Sequence, residues 1–178
     1  MTGEVSELTI TAVGRDRPGI VADLTEALLE LGANLEDCRA ALLRGTFAIV
    51  MAVQVPEGVD AAAAEAGLRP VAERLGLTIA VGDAPGGTGG SGERCVVSVY
   101  GADHPGIVHA VSRAMADLGV NIVDLSSRVV GDPPVYVLGI EAELPGGVTP
   151  AALEGALTPV AAEQRVELHL EPEADEVI

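Results

Sequence analysis

Hydrophobic residues alternate with polar ones in several short segments of the chain, and between these segments they recur at helical spacing. Leu8, Ile10 and Ala12 alternate, which predicts a short strand. The apolar residues that follow have the three- and four-residue spacing of an amphipathic helix, and Gly32 supplies a typical helix stop. These helical positions are Ile20, Val21, Leu24, Leu28 and Leu31.

Two strands, a second helix and a last strand are predicted next. One strand covers about 35–43, and a second begins at Phe47 after a hairpin turn at Gly45. The second strand has alternating apolar positions at Phe47, Ile49, Met51, Val53 and Val55. The second helix has its apolar face at Ala61, Ala64, Leu68, Val71 and Leu75, and the last strand alternates at Leu77, Ile79 and Val81. The predicted order is βαββαβ.

The same order recurs in the second half of the chain. A constant separation of 87 residues relates the pairs Asp16 and Asp103, Gly32 and Gly119, Asn34 and Asn121, and Asp37 and Asp124. Beyond Gly131–Pro134 the separation becomes 89, as in Phe47 and Tyr136, Leu68 and Leu157, and Pro70 and Pro159. The second copy therefore has two extra residues in one hairpin. The predicted fold class is α+β, with two ferredoxin-like βαββαβ units whose antiparallel sheets carry both helices on one face.

The composition of the chain suggests where each unit ends. The stretch 83–93 is rich in glycine and serine and has no apolar residue larger than alanine, which is typical of a flexible linker. We expect a first domain over 1–82, this linker, a second domain over 94–171 and an acidic tail over 172–178.

The charge of the chain limits its partners. There are 27 acidic and 10 basic residues, all of the basic ones arginine, for a formal net charge of -17. Such a chain repels nucleic-acid phosphates and anionic membranes, so neither is expected as a direct partner. No apolar run is long enough to cross a bilayer, and a cytoplasmic location is expected. Cys38 and Cys95 have no metal-type spacing and are expected to be reduced and buried, and no cofactor or metal is expected.

A repeated loop lies between the first strand and the first helix of each copy. It reads GRDRPGIV over 14–21 and GADHPGIV over 101–108. Proline is tolerated in a first helical turn, and Asp16 and Asp103 can cap the free N–H groups of the helix or complement the positive end of its dipole. Gly19 and Gly106 leave backbone N–H groups open to an approaching anion. Two interpretations stay open: a seat for a small carboxylate, or a favourable helix start and nothing more.

Other proteins with βαββαβ order supply competing hypotheses. An RNA-recognition module needs several aromatic residues on its sheet and basic flanks, which this acidic chain lacks. A metal chaperone has CxxC in the loop that is GRDRPG here. An acylphosphatase needs an arginine-bearing anion loop and an asparagine, for which Arg15 or Arg17 with Asn34 is a weak match. No local sequence indicates a catalytic group, so the chain is predicted not to be an enzyme.

The repeated motifs carry a family resemblance. D-x-P-G-I-V opens the first helix and G-x-N enters the second strand in both copies, an order that resembles tandem ACT-domain proteins. The stretch NLEDCRAALLRGTFAIVM over 34–51 is similar to the glycine cleavage system transcriptional repressor group. The resemblance covers nearly the whole chain apart from linker and tail. It implies ligand binding, most often of amino acids, where the first loop of one domain faces the second strand of another.

The resemblance also implies which residues bind the ligand. In the first copy these are Asp16, Arg17, Pro18, Gly19, Ile20, Asn34 and Leu35. In the second copy they are Asp103, His104, Pro105, Gly106, Ile107, Asn121 and Ile122. A zwitterion suits them, because helix N–H groups can bind its carboxylate and an aspartate or a backbone carbonyl can bind its ammonium. Since Arg17 is replaced by His104, we expect the two half-sites to differ in affinity, ligand or pH response.

The implied function is a non-enzymatic regulatory protein that senses a small amino acid, with glycine or serine favoured by the family likeness. A homodimer is expected. Because the chain has no evident helix-turn-helix and its charge opposes DNA, regulation of genes is expected to pass through a protein partner. The alternative is a ligand-free module for dimerisation or partner docking.

Overall fold

A computed structural model describes residues 6–85 and 92–172, which form two units with the same order of elements. The first unit consists of β1 (Ser6–Arg15), α1 (Ile20–Glu30), β2 (Asn34–Leu43), β3 (Thr46–Val55), α2 (Ala61–Leu75) and β4 (Leu77–Asp83). The second consists of β5 (Arg94–Gly101), α3 (Ile107–Asp117), β6 (Asn121–Val130), β7 (Val135–Glu143), α4 (Pro150–Gln164) and β8 (Val166–Pro172). The predicted βαββαβ order is confirmed in both units.

Each unit contains one four-stranded antiparallel sheet. The strand order is β2-β3-β1-β4 in the first and β6-β7-β5-β8 in the second, so β2 and β6 are edge strands. The β2–β3 turn has two residues and the β6–β7 turn has four, which confirms the predicted insertion at Gly131–Pro134. Residues 86–91 of the predicted linker and 173–178 of the predicted tail lie outside the described residues. The predicted domain boundaries stay predictions.

A core of aliphatic side chains lies between each sheet and its two helices. In β1 the alternation places Leu8, Ile10 and Ala12 in this core, each no more than 1% exposed. β3 contributes its alternate residues Phe47, Ile49, Met51, Val53 and Val55, as predicted. The second core repeats the arrangement around Val97, Val99, Leu138 and Ile140. Among the described residues, no helix is long and apolar enough to cross a membrane.

Two sequence expectations about burial are wrong. Val21 is 45% exposed, because the buried stripe of α1 consists of Ile20, Leu24 and Leu28 at four-residue spacing and Val21 lies about 100° away around the helix. Cys38 is exposed, whereas Cys95 is buried as expected. Cys38 belongs to β2, in which all ten residues are exposed because this edge strand has little helix packed on it.

Gly14 and Gly101, which open the repeated loop motif, lie where the central strand of each sheet approaches the start of its last strand. A Cβ atom on Gly14 would lie 2.6 Å from Leu77 Cδ2 and 2.9 Å from the Gly76 carbonyl oxygen. A Cβ atom on Gly101 would lie 2.8 Å from Val166 Cγ1. Glycine at these positions therefore allows a close approach of backbones that any side chain would prevent.

We expect Gly14→Ala to lower the free energy of unfolding by about 1–3 kcal/mol through overpacking, because the Gly76 carbonyl is backbone and cannot move aside cheaply. Urea unfolding followed by circular dichroism measures the change. Gly82→Ala is the matched control, since Gly82 lies in β4 and a Cβ there would meet no atom within 4 Å. Equal stability of Gly14→Ala and the wild type would contradict this account of the glycine.

Candidate functional site

The loop between β1 and α1 ends at Gly19, which is the N-cap of the helix. Gly19 has φ 94° and Gly106, the N-cap of α3, has φ 106°. Both values lie in the left-handed region, where an L-residue with a side chain is strained. Backbone conformation is therefore sufficient reason for a glycine at each position. Pro18 and Pro105 precede the N-cap. The expectation that they lie in the first helical turn is therefore wrong.

The expectation that Asp16 and Asp103 cap these helices is wrong. Among the described residues, no side chain forms a capping hydrogen bond with α1 or α3. A capping side chain normally belongs to the N-cap residue itself, and the aspartates lie three residues earlier. The helices therefore do not use these carboxylates as caps.

The other two helices, α2 and α4, begin at residues whose side chains do form capping hydrogen bonds. The Asp60 side chain accepts a hydrogen bond from the Ala63 N–H at 2.8 Å, and the Thr149 hydroxyl accepts one from the Ala152 N–H at 3.2 Å. Only α1 and α3, of the four described helices, begin at a glycine without such a side chain. The first-turn N–H groups of α1 and α3 carry the positive end of the helix dipole and suit an anion.

The remaining residues of the first loop differ in accessibility. Asp16, Arg17 and Pro18 are exposed, whereas the Ile20 side chain is 2% exposed and anchors the helix in the core. Ile107 is buried to the same degree in the second unit. These isoleucines can offer a ligand only their backbone N–H groups. The Asp16 N–H donates to the Gly45 carbonyl at 2.9 Å, which ties the loop to the β2–β3 turn.

Asn34 and Leu35, the other predicted half-site, lie at the start of β2 and are exposed. They follow the C-terminal end of α1, and the loop precedes its N-terminal end, so the 11-residue helix separates them by about 16 Å. The same separation holds for Asn121 and Ile122 in the second unit. A single unit therefore does not bring its own two half-sites together. The acylphosphatase arrangement of Arg17 with Asn34 is likewise not formed within the unit.

A cleft of about 500 Å³ lies between α1 and the start of β2. Its lining includes Thr25, Leu29, Ala33 and Leu35, and the Leu29 side chain is 75% exposed beside it. Leu35 is thus the predicted site residue that faces an apolar recess. Leu29 was not among the residues predicted for the site. Its position one residue after the buried Leu28 is the signal that its side chain points away from the core.

The second unit has a cleft of about 510 Å³ next to its loop. It is lined by Ala102 from the start of the loop together with Tyr100, Val135 and Arg165. Arg165 follows α4 and has φ 55°, a left-handed conformation that is rare for arginine. In the first unit Gly76 is the corresponding residue. Arg165 carries no local sequence signal, and only its exchange for Gly76 in the first copy distinguishes it.

His104 links the second loop to the end of α4. Its Nε2 atom lies 2.8 Å from the Gln164 carbonyl oxygen, and its Nδ1 atom lies 3.1 Å from the Pro105 carbonyl oxygen. Carbonyl oxygens only accept hydrogen bonds, so both contacts are satisfied when the ring is the doubly protonated imidazolium. The Gln164 carbonyl, followed by the Pro105 carbonyl and Asp103, raises the pKa of His104 above 6.5, with Arg165 opposing.

Arg17, the corresponding residue of the first unit, has no hydrogen bond or ion pair within the part of the chain that the structure describes. The two loops thus have similar backbone conformations at their helix starts, but only the second is held to the end of its unit's second helix by the side chain at this position. Among the same residues, no three histidine, cysteine or carboxylate side chains come together as metal ligands.

Comparison with known proteins identifies the family. The sequence model described as "ACT domain" matches residues 6–82 and 93–171. The chain is 48% identical over 44 residues to the glycine cleavage system transcriptional repressor of Escherichia coli, which is 25% of this chain and 23% of the repressor. The resemblance to that repressor group is confirmed.

Two further proteins are similar over nearly the whole chain. Phosphoserine phosphatase SerB2 of Mycobacterium tuberculosis is 32% identical over a match that covers 96% of this chain but 42% of the phosphatase. The solved structure of an unknown protein from Galdieria sulphuraria has a TM-score of 0.84 at 28% identity, covering 96% of this chain and 100% of that one. Since the ACT matches fall on both βαββαβ units, the chain belongs to the ACT-domain family, whose domains are regulatory, and it carries two of them in tandem.

Proposed function

We propose that the chain is a non-enzymatic regulatory protein that senses a small amino acid through its two glycine-capped loops. The observation that carries the proposal is the uncapped start of α1 and of α3, since the other two described helices are capped by side chains. A ligand carboxylate would accept hydrogen bonds from the first-turn N–H groups and compensate the helix dipole. Buried isoleucines hold these N–H groups in place.

The ammonium group of the ligand would bind the loop aspartates. Asp16 and Asp103 are exposed and are not used in helix capping, so either carboxylate can accept charge-assisted hydrogen bonds from an ammonium. The second strand of another ACT domain would complete the site with Asn34 and Leu35 or with Asn121 and Ile122. A homodimer would supply further pairs of this kind.

The ligand and the partner are proposed from the relatives. One is named for glycine cleavage and another for phosphoserine, which favours glycine or serine over larger amino acids. We further propose that this chain acts through a protein partner in the cytoplasm. Its charge of -17 disfavours direct contact with DNA.

A ligand-free interaction module is the second candidate. The positive φ of Gly19 and Gly106 favours it, because that conformation alone requires glycine and no ligand needs to approach. The two functions differ in one property: only the sensor gains stability when an amino acid is added.

We expect one small amino acid to raise the thermal unfolding midpoint of the protein, tested against a panel of amino acids. A ligand at 100 times its Kd stabilises the folded state by about 2.7 kcal/mol, a shift of several degrees for domains of this size. Gly19→Ala and Gly106→Ala should reduce or abolish the shift, because a methyl group would occupy the approach to the helix N–H groups.

Gly58→Ala and Gly147→Ala are the matched controls for the strain of these variants. Gly58 and Gly147 have φ 90° and 93°, a Cβ on either would meet no atom within 4 Å, and both lie before the second helix of their unit. The controls therefore carry a similar backbone strain and should keep the ligand response. The absence of a shift with every amino acid would favour the ligand-free module.

The contribution of His104 to the stability of the second unit should be larger at low pH than at high pH. Because folding raises the pKa of His104, its stabilising contribution is complete below about 6.5 and is lost as pH rises through the higher pKa of the folded protein. Nuclear magnetic resonance titration of the His104 ring protons should give a pKa above 6.5. His104→Gln should remove this part of the pH dependence of unfolding. A His104 pKa at or below 6.5 would contradict the two-carbonyl contact.

A further inference from the structure

Three arginines come together at one end of the first unit. Arg15 ends β1, Arg44 belongs to the β2–β3 turn, and Arg17 follows in the loop before α1. The hydrogen bond from the Asp16 N–H to the Gly45 carbonyl, 2.9 Å long, joins the loop to the turn and so keeps the three arginines near one another. All three are exposed, and we call them the basic end.

The basic end has few carboxylates to balance its charge. The two segments that form it, 14–18 and 42–47, contain the three arginines and a single carboxylate, Asp16. None of the three arginines forms an ion pair with a described residue. Arg74, by contrast, is paired with Asp23 at 2.8 Å. In a chain with 27 acidic residues, the basic end is therefore a local region of positive charge.

The second unit has no such cluster at the same place. Ala102 and His104 occupy the positions of Arg15 and Arg17. Its longer hairpin turn, 131–134, contains no arginine and carries an aspartate. Because the two sheets have the same strand order, the fold itself does not require arginines here.

The backbone of the β2–β3 turn gives no reason for an arginine either. Arg44 has φ 50° and Gly45 has φ 81°, so both central residues of this two-residue turn are in the left-handed region. Hairpin turns of this kind favour asparagine, aspartate or glycine at the first position, and a long side chain is disfavoured there. A residue kept in a conformation that disfavours it suggests a function outside the fold.

Two exposed leucines lie beside the basic end. The side chains of Leu42 and Leu43 are 61% and 71% exposed. Thr46 is the direct cross-strand partner of both Leu43 and Arg15, so these three residues form one row on the same side of the sheet. Since neighbouring strands are about 4.8 Å apart, Leu43 and Arg15 are separated by about 10 Å.

We propose that the basic end, together with Leu42 and Leu43, docks an acidic segment of a partner protein that also carries apolar residues. The inference rests on the proposed function in one respect, that the partner is a protein, and it names the chemistry of that partner. An extended peptide that crosses the row would place an apolar side chain over Leu43 and a carboxylate over Arg15, about three residues apart. Arg17 and Arg44 can bind further carboxylates through paired N–H groups.

A nucleic acid fits this surface less well than a peptide does. Exposed charges act over about 8 Å at physiological salt, so a short acidic segment can be confined to the arginines. A nucleic acid carries one charge per about 1.7 Å of duplex and would extend from the cluster towards the carboxylates of a chain with a charge of -17. Its phosphates would also leave the leucines without an apolar partner.

Nuclear magnetic resonance titration of the isotope-labelled full chain tests the proposal, with a synthetic peptide whose leucine and glutamate lie about three residues apart. The peptide should shift the amide signals of 15–17 and 42–46, and added salt should weaken its binding. Arg15→Gln and Arg44→Asn should each weaken binding about two- to fivefold, as expected for exposed ion pairs. Because asparagine is favoured in this turn, Arg44→Asn should also raise the thermal unfolding midpoint, which a purely structural role of Arg44 would not allow.

Arg69→Gln is the matched control, since Arg69 is an exposed arginine of α2 that forms no ion pair with a described residue. This variant should bind the peptide as the wild type does. Equal weakening by Arg69→Gln, or equally tight binding of a peptide with glutamine in place of glutamate, would overturn the proposal. Tighter binding of single-stranded oligothymidylate at the same amides would overturn the assignment to a protein.

The docking surface and the amino-acid sensor can fail separately. A peptide that leaves the amides of the basic end unshifted, in a protein whose unfolding midpoint an amino acid still raises, would overturn the docking surface alone. Peptide binding at the basic end without any response to amino acids would support the docking surface and count against the sensor.

Discussion

The two-residue alternation of β1, fixed by pairing on both of its edges, is the constraint on which the rest of the first unit depends. β1 lies between β3 and β4, so its register cannot slip without breaking two sets of hydrogen bonds. This register sends Leu8, Ile10 and Ala12 to the helices and their neighbours to the opposite side of the sheet. It also places Gly14 against the start of β4. Just after Gly14 the chain leaves β1 for the loop and α1. β5 has the same role in the second unit.

Most of the fold could be predicted from the sequence, because the periodicity of apolar residues and the two constant offsets both depend on regular backbone. The hairpin insertion is an example: its length followed from a change of offset between Asp124 and Tyr136. Burial could not be predicted for residues whose exposure depends on whether a helix or strand from elsewhere in the unit packs over them. Val21 and Cys38 are apolar residues in correctly predicted elements, and both are exposed because no helix or sheet lies over them.

The positions of the two helix starts could be predicted, but the way they are built could not. The pattern D-x-P-G located both starts, yet it also predicted aspartate caps, which α1 and α3 do not have among the described residues. Left-handed φ is a property of three-dimensional turn geometry that a local motif indicates only weakly. The contact of His104 with Gln164 spans 60 residues of sequence and could not be read from the loop. The exchange of Arg17 for His104 was a local signal that the loops differ, as was the exchange of Arg15 for Ala102.

The two units show that a shared backbone can carry separate tasks. Strand order, register and helix starts are the same in both units, and one difference lies in side chains: the contact of His104 with Gln164 attaches the loop of the second unit through a titratable group. In the first unit the proposed ligand loop follows directly on β1, which is paired on both of its edges. If a ligand in that loop strengthens self-association, linkage requires that self-association strengthens ligand binding by the same factor. An amino-acid sensor built in this way would respond to its own concentration as well as to that of its ligand.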